Sequence, residues 1–149
     1  MARGATATQC RDILVQNAAF AQFRQLAILD ARGDTAVWSG AHTLGCHAVS
    51  TRANVASAGN LLAQEGVPDA VTRAFDESDE SLPLGERLLV AMRAGLAAGG
   101  EAGPVRSAGM IVVAEQDWPL VDLRVDWDEA PSTVWPNCGR YGGPRWMIT

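Results

Sequence analysis

Residues 99–127 read GGEAGPVRSAGMIVVAEQDWPLVDLRVDW and hold two strand candidates on either side of a polar connector. Ala108 to Ala114 is a continuous apolar run rich in β-branched residues and too short to cross a bilayer. Such a run predicts a strand buried on both faces. Val121 to Trp127 alternates strictly. Val121, Leu123, Val125 and Trp127 point one way, and Asp122, Arg124 and Asp126 the other, as in a strand with one buried face. Asp117, Trp118 and Pro119 between them suit a turn and cannot continue a ladder. The stretch therefore predicts a β-hairpin at the middle of a sheet.

N-terminal to it lies the best helix, Leu82 to Ala98, with Ser81 as cap, Pro83 in the first turn and Gly99-Gly100 as stop. Leu84, Leu88, Leu89, Met92 and Leu96 form one apolar stripe, which reads as core. Asp76 to Glu80 is an acidic loop without the glycine and distal glutamate of a calcium loop. A second helix is expected before it, from Asn60 or restarting at Pro68, with Val67, Val71, Ala74 and Phe75 on one face. Two further hairpins are expected. Leu26–Leu29 and Thr35–Trp38 flank a turn at Asp30 to Asp34, and His47–Ser50 and Asn54–Ala58 are short strands of small residues. A first helix is expected over Gln9 to Phe23, burying Ile13, Leu14, Phe20 and Phe23. After Trp127, the glycines and prolines of 128–149 predict an irregular tail stapled by Trp135, Tyr141 and Trp146. Long helices beside antiparallel hairpins predict an α+β fold with helices packed on a sheet face.

The 149 residues suffice for one domain with a core, and 48% are apolar, so the chain is no disordered tail. Twelve basic residues against seventeen acidic leave a charge of −5. That balance disfavours nucleic acid and an anionic membrane surface as partners. The basic residues are arginines, as GC-rich bacterial genes favour. No targeting segment or membrane-length apolar run is seen, and Cys10, Cys46 and Cys138 have no motif spacing. A cytoplasmic location follows as the default expectation.

Few residues suggest chemistry. His42, Cys46 and His47 fall within six positions but lack the further ligands of a tetrahedral zinc site and read as loop residues, so no metal and no cofactor are expected. Ser107 lacks the flanking glycines of a nucleophile elbow. Asp122 and Arg124 share a strand face with Asp126, read as a solvated face with ion pairs or as the polar wall of a cleft. Asn60, after Gly59, is read as a helix cap or as an amide donor to an oxyanion. Asn60, Asp122 and Arg124 are the candidate site residues.

Several segments resemble a bacterial family, domain of unknown function 1028. The hairpin Arg24 to Gly33 is similar to its RQ-apolar-D-x-x-G segment, and Ala58 to Leu62 to its AGN-L segment. Leu84 to Gly100 is similar to its ERLL helix and Gly-Gly exit. Gly103–Val113 and Pro119–Trp127 resemble its R-S-A-apolar and WPLVDLRVD strands. The resemblance runs in order from about Asn17 to Pro131. It implies an Ntn-hydrolase-like αββα sandwich, and with it hydrolysis of a small amide or other C–N bond by an N-terminal Thr, Ser or Cys. This chain opens Met1-Ala2-Arg3-Gly4, where removal of Met1 exposes Ala2, which has no nucleophilic atom. Thr6, Thr8 and Cys10 lack a preceding Gly or Asp for self-cleavage. The expectation is a single shortened domain over 1–131 with a tail over 132–149. It is either an amide hydrolase of uncertain activity or a non-catalytic scaffold remnant or assembly subunit. A homo-oligomer covering exposed sheet, with a small-molecule amide as ligand, completes the expectation.

Overall fold

The computed structural model describes residues 4–131. The expected tail, with Trp135, Tyr141 and Trp146, lies outside the described residues. Within them the chain is mixed α/β. Helix α1 (Ala7–Asn17) is followed by a 3-10 turn at Ala21–Phe23. Next come hairpin β1 (Gln25–Leu29) and β2 (Thr35–Ser39), then hairpin β3 (Ala48–Arg52) and β4 (Val55–Gly59). Helices α2 (Val67–Asp76) and α3 (Leu84–Ala97) precede the last hairpin, β5 (Ala108–Val112) and β6 (Val121–Val125). Each hairpin is an antiparallel two-stranded sheet of its own. No helix among the described residues is long and apolar enough to cross a membrane.

The hairpins and helices stack in order. Helix α1 packs on β1 and β2, that hairpin lies against β3 and β4, and α2 covers β3 and β4 while packing on α3. The first two hairpins are joined at both ends. At the turns, the Asn54 N–H donates to the Gly33 carbonyl at 3.2 Å. At the open ends, Gln25 Nε2 donates to the Gly59 carbonyl at 2.9 Å and to Ser39 Oγ at 3.1 Å. Ser39 Oγ in turn meets His47 Nδ1 at 2.9 Å. The Gln25 side-chain amide thus satisfies a strand-end carbonyl, and Ser39 links it on to His47.

The core is small and built at the α2–α3 contact. Phe75, Val55 and Ala91 are buried together, with Val71 and Leu88 packed against them. Arg87 of α3 lies 4.3 Å over the Phe75 ring and donates to the Phe75 carbonyl and Ser78 Oγ, so it also closes the end of α2. A second cluster forms where Met110 and Val112 of β5 meet Leu88, Leu89 and Met92.

Several expectations are corrected here. The run 108–114 is not buried on both faces. Met110 and Val112 are buried, whereas Ile111 and Val113 are about two-thirds exposed. Among the described residues the hairpin is a two-stranded sheet of its own, not the middle of a larger one, with α3 packed on its Met110–Val112 face. Trp127, expected on the buried face of β6, is 76% exposed, because β6 ends at Val125 before reaching it. Ile111, Val113, Trp118 and Trp127 are each exposed apolar residues. The first helix ends at Asn17 rather than Phe23, since Ala18 turns to extended backbone, and Phe20 further on takes left-handed backbone (φ 60°). Its buried residue is Ala7, and Ile13, Leu14, Phe20 and Phe23 are exposed. Finally, α3 begins at Leu84 with Pro83 at its cap position, so Ser81 does not cap it.

The start of α1 is tied down by Asp30. Its buried carboxylate accepts from the backbone N–H groups of Ala7 at 3.1 Å, Arg32 at 2.9 Å and Asp34 at 3.2 Å. The Arg32 N–H, and after it those of Ala7 and Asp34, hold the carboxyl below its ordinary value against the opposing pull of burial. A carboxyl whose folded value is depressed contributes stability above its unfolded value. That contribution is lost as pH falls through the folded value, which here lies below 3.8. Asp30→Asn is therefore expected to lower Tm at neutral pH and to flatten its decline on acidification below about pH 4. Parallel Tm-against-pH curves for the two proteins would count against this role.

Candidate functional site

The connection from β4 to α2 is where the chain makes room for a ligand. Gly59 ends β4, and a Cβ there would sit 2.7 Å from Leu62 Cδ2, so a larger residue would make the Leu62 side chain shift. Leu61 takes left-handed backbone (φ 49°) for a non-glycine residue, which costs energy and sharpens the bend. Leu62 is turned inward and buried, and a bridge pairs it with Glu101. On the other side, Gly95 brings α3 onto α2, since a Cβ at that point would come within 2.6 Å of Val71 Cγ2.

These features enclose a cleft of about 680 Å³. Leu62, Val67, Pro68, Val71, Met92 and Leu96 make its apolar surface, while Gln25, Ser57, Asn60 and Ser107 supply polar groups. Glu101 and Glu129 are the charged lining residues among those described. A concave, mostly apolar site with a few polar groups on its walls is the usual form of a small-molecule site.

The three candidate residues are not brought together. Asn60 is exposed and lines the cleft, and it does not cap α2, which starts seven residues later with Gly66 at its cap position. Asp122 and Arg124 lie on the exposed face of β6, outside the cleft lining. There Arg124 Nε pairs with Asp126 Oδ1 at 2.8 Å, with both side chains about three-quarters exposed. This is the solvated-face arrangement, and such pairs contribute little.

His42, His47 and Thr6 are engaged elsewhere, and Cys10 and Cys46 are free thiols outside the cleft lining. His42 packs on Phe23 with ring centroids 5.3 Å apart, and His47 bonds Ser39. Among the described residues no group of three His, Cys, Asp or Glu could hold a metal ion. The Thr6 hydroxyl accepts from the Gln9 N–H at 3.2 Å, and the Gln9 side chain accepts from Thr6, a reciprocal cap for α1. The sequence reading missed Gln25, Glu101 and Glu129 as lining residues. Gln25 sits in the quoted RQ-apolar-D-x-x-G segment. No local pattern distinguishes the two glutamates from surface acids.

A family model described as a family of unknown function, DUF1028, matches residues 1–134. The chain is also similar to the crystal structure of a Silicibacter pomeroyi protein assigned to the same family, with a TM-score of 0.80 and 28% identity. The match covers 91% of this chain and 57% of that one, so this chain spans little more than half the length of its solved relative. No curated protein matches. With five ordered segments, the family model and the shared fold in agreement, the chain belongs to the DUF1028 family.

Proposed function

We propose that this chain is a ligand-binding domain on an Ntn-hydrolase-like scaffold and that its cleft holds a small amide without cleaving it. The cleft is the observation that carries the reading. Its volume suits a small molecule, its surface is mostly apolar, and Asn60 and Gln25 place side-chain amides at its wall. The stacking of α1, two hairpins and the α2–α3 pair supports the scaffold reading, because it repeats the helix–strand–strand–helix order of the sandwich. Asn60 is the proposed amide partner, able both to donate to and to accept from a ligand amide.

Binding without cleavage is favoured because none of the hydroxyls lining the cleft is bonded to a histidine or carboxylate among the described residues. Ser107, exposed on the wall, has no such base beside it. The Ser–His contact of Ser39 and His47 is spent joining the hairpins and lies outside the lining. A nucleophile needs its base within hydrogen-bond reach. Hydrolysis is the second reading, supported by Ser107 and Asn60 facing one cleft as hydroxyl and oxyanion donor.

The test uses N-phenethylacetamide, an uncharged amide with an apolar body. Amide-proton NMR shifts are expected at Asn60, Leu62, Val71 and Leu96, and Asn60→Ala should weaken binding about fivefold, the worth of one neutral hydrogen bond. Shifts absent or scattered away from the cleft would sink the reading. Release of phenethylamine and acetate by the wild type, abolished in Ser107→Ala, would replace binding with hydrolysis.

A further inference from the structure

We infer that the cleft selects a small amphipathic cation, an apolar body bearing an ammonium or guanidinium group, with Glu101 as the anion that recognises it. This rests on the cleft being a ligand site and adds the charge of what it takes. Among the described residues both charged groups lining the cleft are carboxylates, and none is an arginine. A negatively charged ligand would meet repulsion without a counter-charge, and the chain's overall −5 adds to that field.

The two glutamates are not equivalent. Glu129 already faces Arg106 at 3.9 Å, and its side chain is 94% exposed. Arg106 also lies 5.5 Å over the Trp127 ring, outside the cleft lining. Glu129 is thus partly neutralised from its own chain and well screened. Glu101 makes no ion pair among the described residues. Its backbone is held in place on both sides. The Ala102 N–H donates to the Leu61 carbonyl at 2.7 Å, and the Ala63 N–H donates to the Gly100 carbonyl at 3.0 Å. The bridge between Leu62 and Glu101 lies between these bonds. The backbone of Glu101, an exposed residue, is therefore anchored beside the cleft's apolar surface, which includes Leu62 and Leu96, and its side chain starts from that edge. A ligand that buries an apolar body against that surface brings its cationic end within reach of Glu101, where water is partly excluded and attraction is strengthened.

The experiment compares three probes of nearly equal size on the full chain: phenethylamine, phenethyl alcohol and hydrocinnamate. Dissociation constants are read by NMR titration at low salt. Phenethylamine is expected to bind about fivefold more tightly than the alcohol, the upper worth of a partly exposed ion pair. Hydrocinnamate should bind weakest. Glu101→Gln should remove the preference for the amine and leave affinity for the alcohol unchanged. Added salt should erode only the amine's advantage. Equal binding of amine and alcohol, or an unchanged preference in Glu101→Gln, overturns the cation selection and leaves the cleft as a ligand site. Failure of all three probes to shift any cleft residue while N-phenethylacetamide still does overturns the cation selection alone, and failure of the amide as well overturns both.

Discussion

Phe75→Ala is expected to destabilise the protein by about 4 kcal/mol, in the range for removing a buried phenylalanine. Phe75 is 6% exposed and shares its cluster with Val55, Ala91, Val71 and Leu88, so the substitution opens a buried cluster where α2, α3 and β4 meet. It also removes the ring under the Arg87 guanidinium, which would stay bonded to Ser78 and the residue 75 carbonyl but lose its apolar partner. For a domain whose whole stability is about 5–15 kcal/mol, that is a large fraction. Phe75→Leu keeps most of the volume and should cost no more than about 1.5 kcal/mol. Urea unfolding separates the two by midpoint at constant slope. A loss below about 1 kcal/mol for Phe75→Ala would show that α2 and α3 are held by something other than this cluster. Because the same helices form the cleft's apolar surface, ligand binding should weaken in step with the loss.

Gly40→Ala is expected to cost about 3 kcal/mol or more, at the upper end for overpacking. The reason is the backbone approach. A Cβ on Gly40 would lie 2.2 Å from the Gln22 carbonyl oxygen, 2.4 Å from its carbon and 2.6 Å from the Ala21 oxygen. None of these is a side-chain atom that can rotate away, so the chain itself must part. The segment is fastened there by the Gly40 N–H to the Arg24 carbonyl at 2.9 Å and the His42 N–H to the Gln22 carbonyl at 2.8 Å. Trp38 Nε1 adds a bond to the Ala21 carbonyl at 3.2 Å. Parting these strands would also move Ser39, and with it the Gln25–Ser39–His47 junction between the hairpins. Gly103→Ala is the matched control, since a Cβ there meets nothing within 4 Å. Its midpoint should stay within about 0.5 kcal/mol of the wild type. Equal effects at the two glycines would contradict the close packing at Gly40.

The elements were legible where the pattern was local. The strand boundaries at Thr35, Val121 and Ala108 and the helix ends near Leu84 and Ala97 follow from turn residues, alternation and the Gly99-Gly100 stop. Pro68 in the first turn of α2 was readable for the same reason. What failed was burial. Ile111 and Val113 belong to an apolar run, yet α3 reaches only the Met110–Val112 face. Ile13 and Leu14 lie on a helix whose only buried residue is Ala7. Apolar spacing shows which residues can be buried. Whether a neighbour covers them depends on segments distant in the chain. The site was less legible still. Asn60 was singled out and lines the cleft, whereas Asp122 and Arg124, chosen from one strand's alternation, face solvent elsewhere.

The amino-acid order alone determined the three hairpins, the two long amphipathic helices and the family, because turns, caps and ordered motifs are properties of neighbouring residues. Only the tertiary structure decided that Gln25, Asn60, Glu101 and Glu129, drawn from four separate segments, line one cleft. That convergence includes the close approach of Gly95 to Val71, and a contact between residues distant in the chain leaves no periodic trace in either segment.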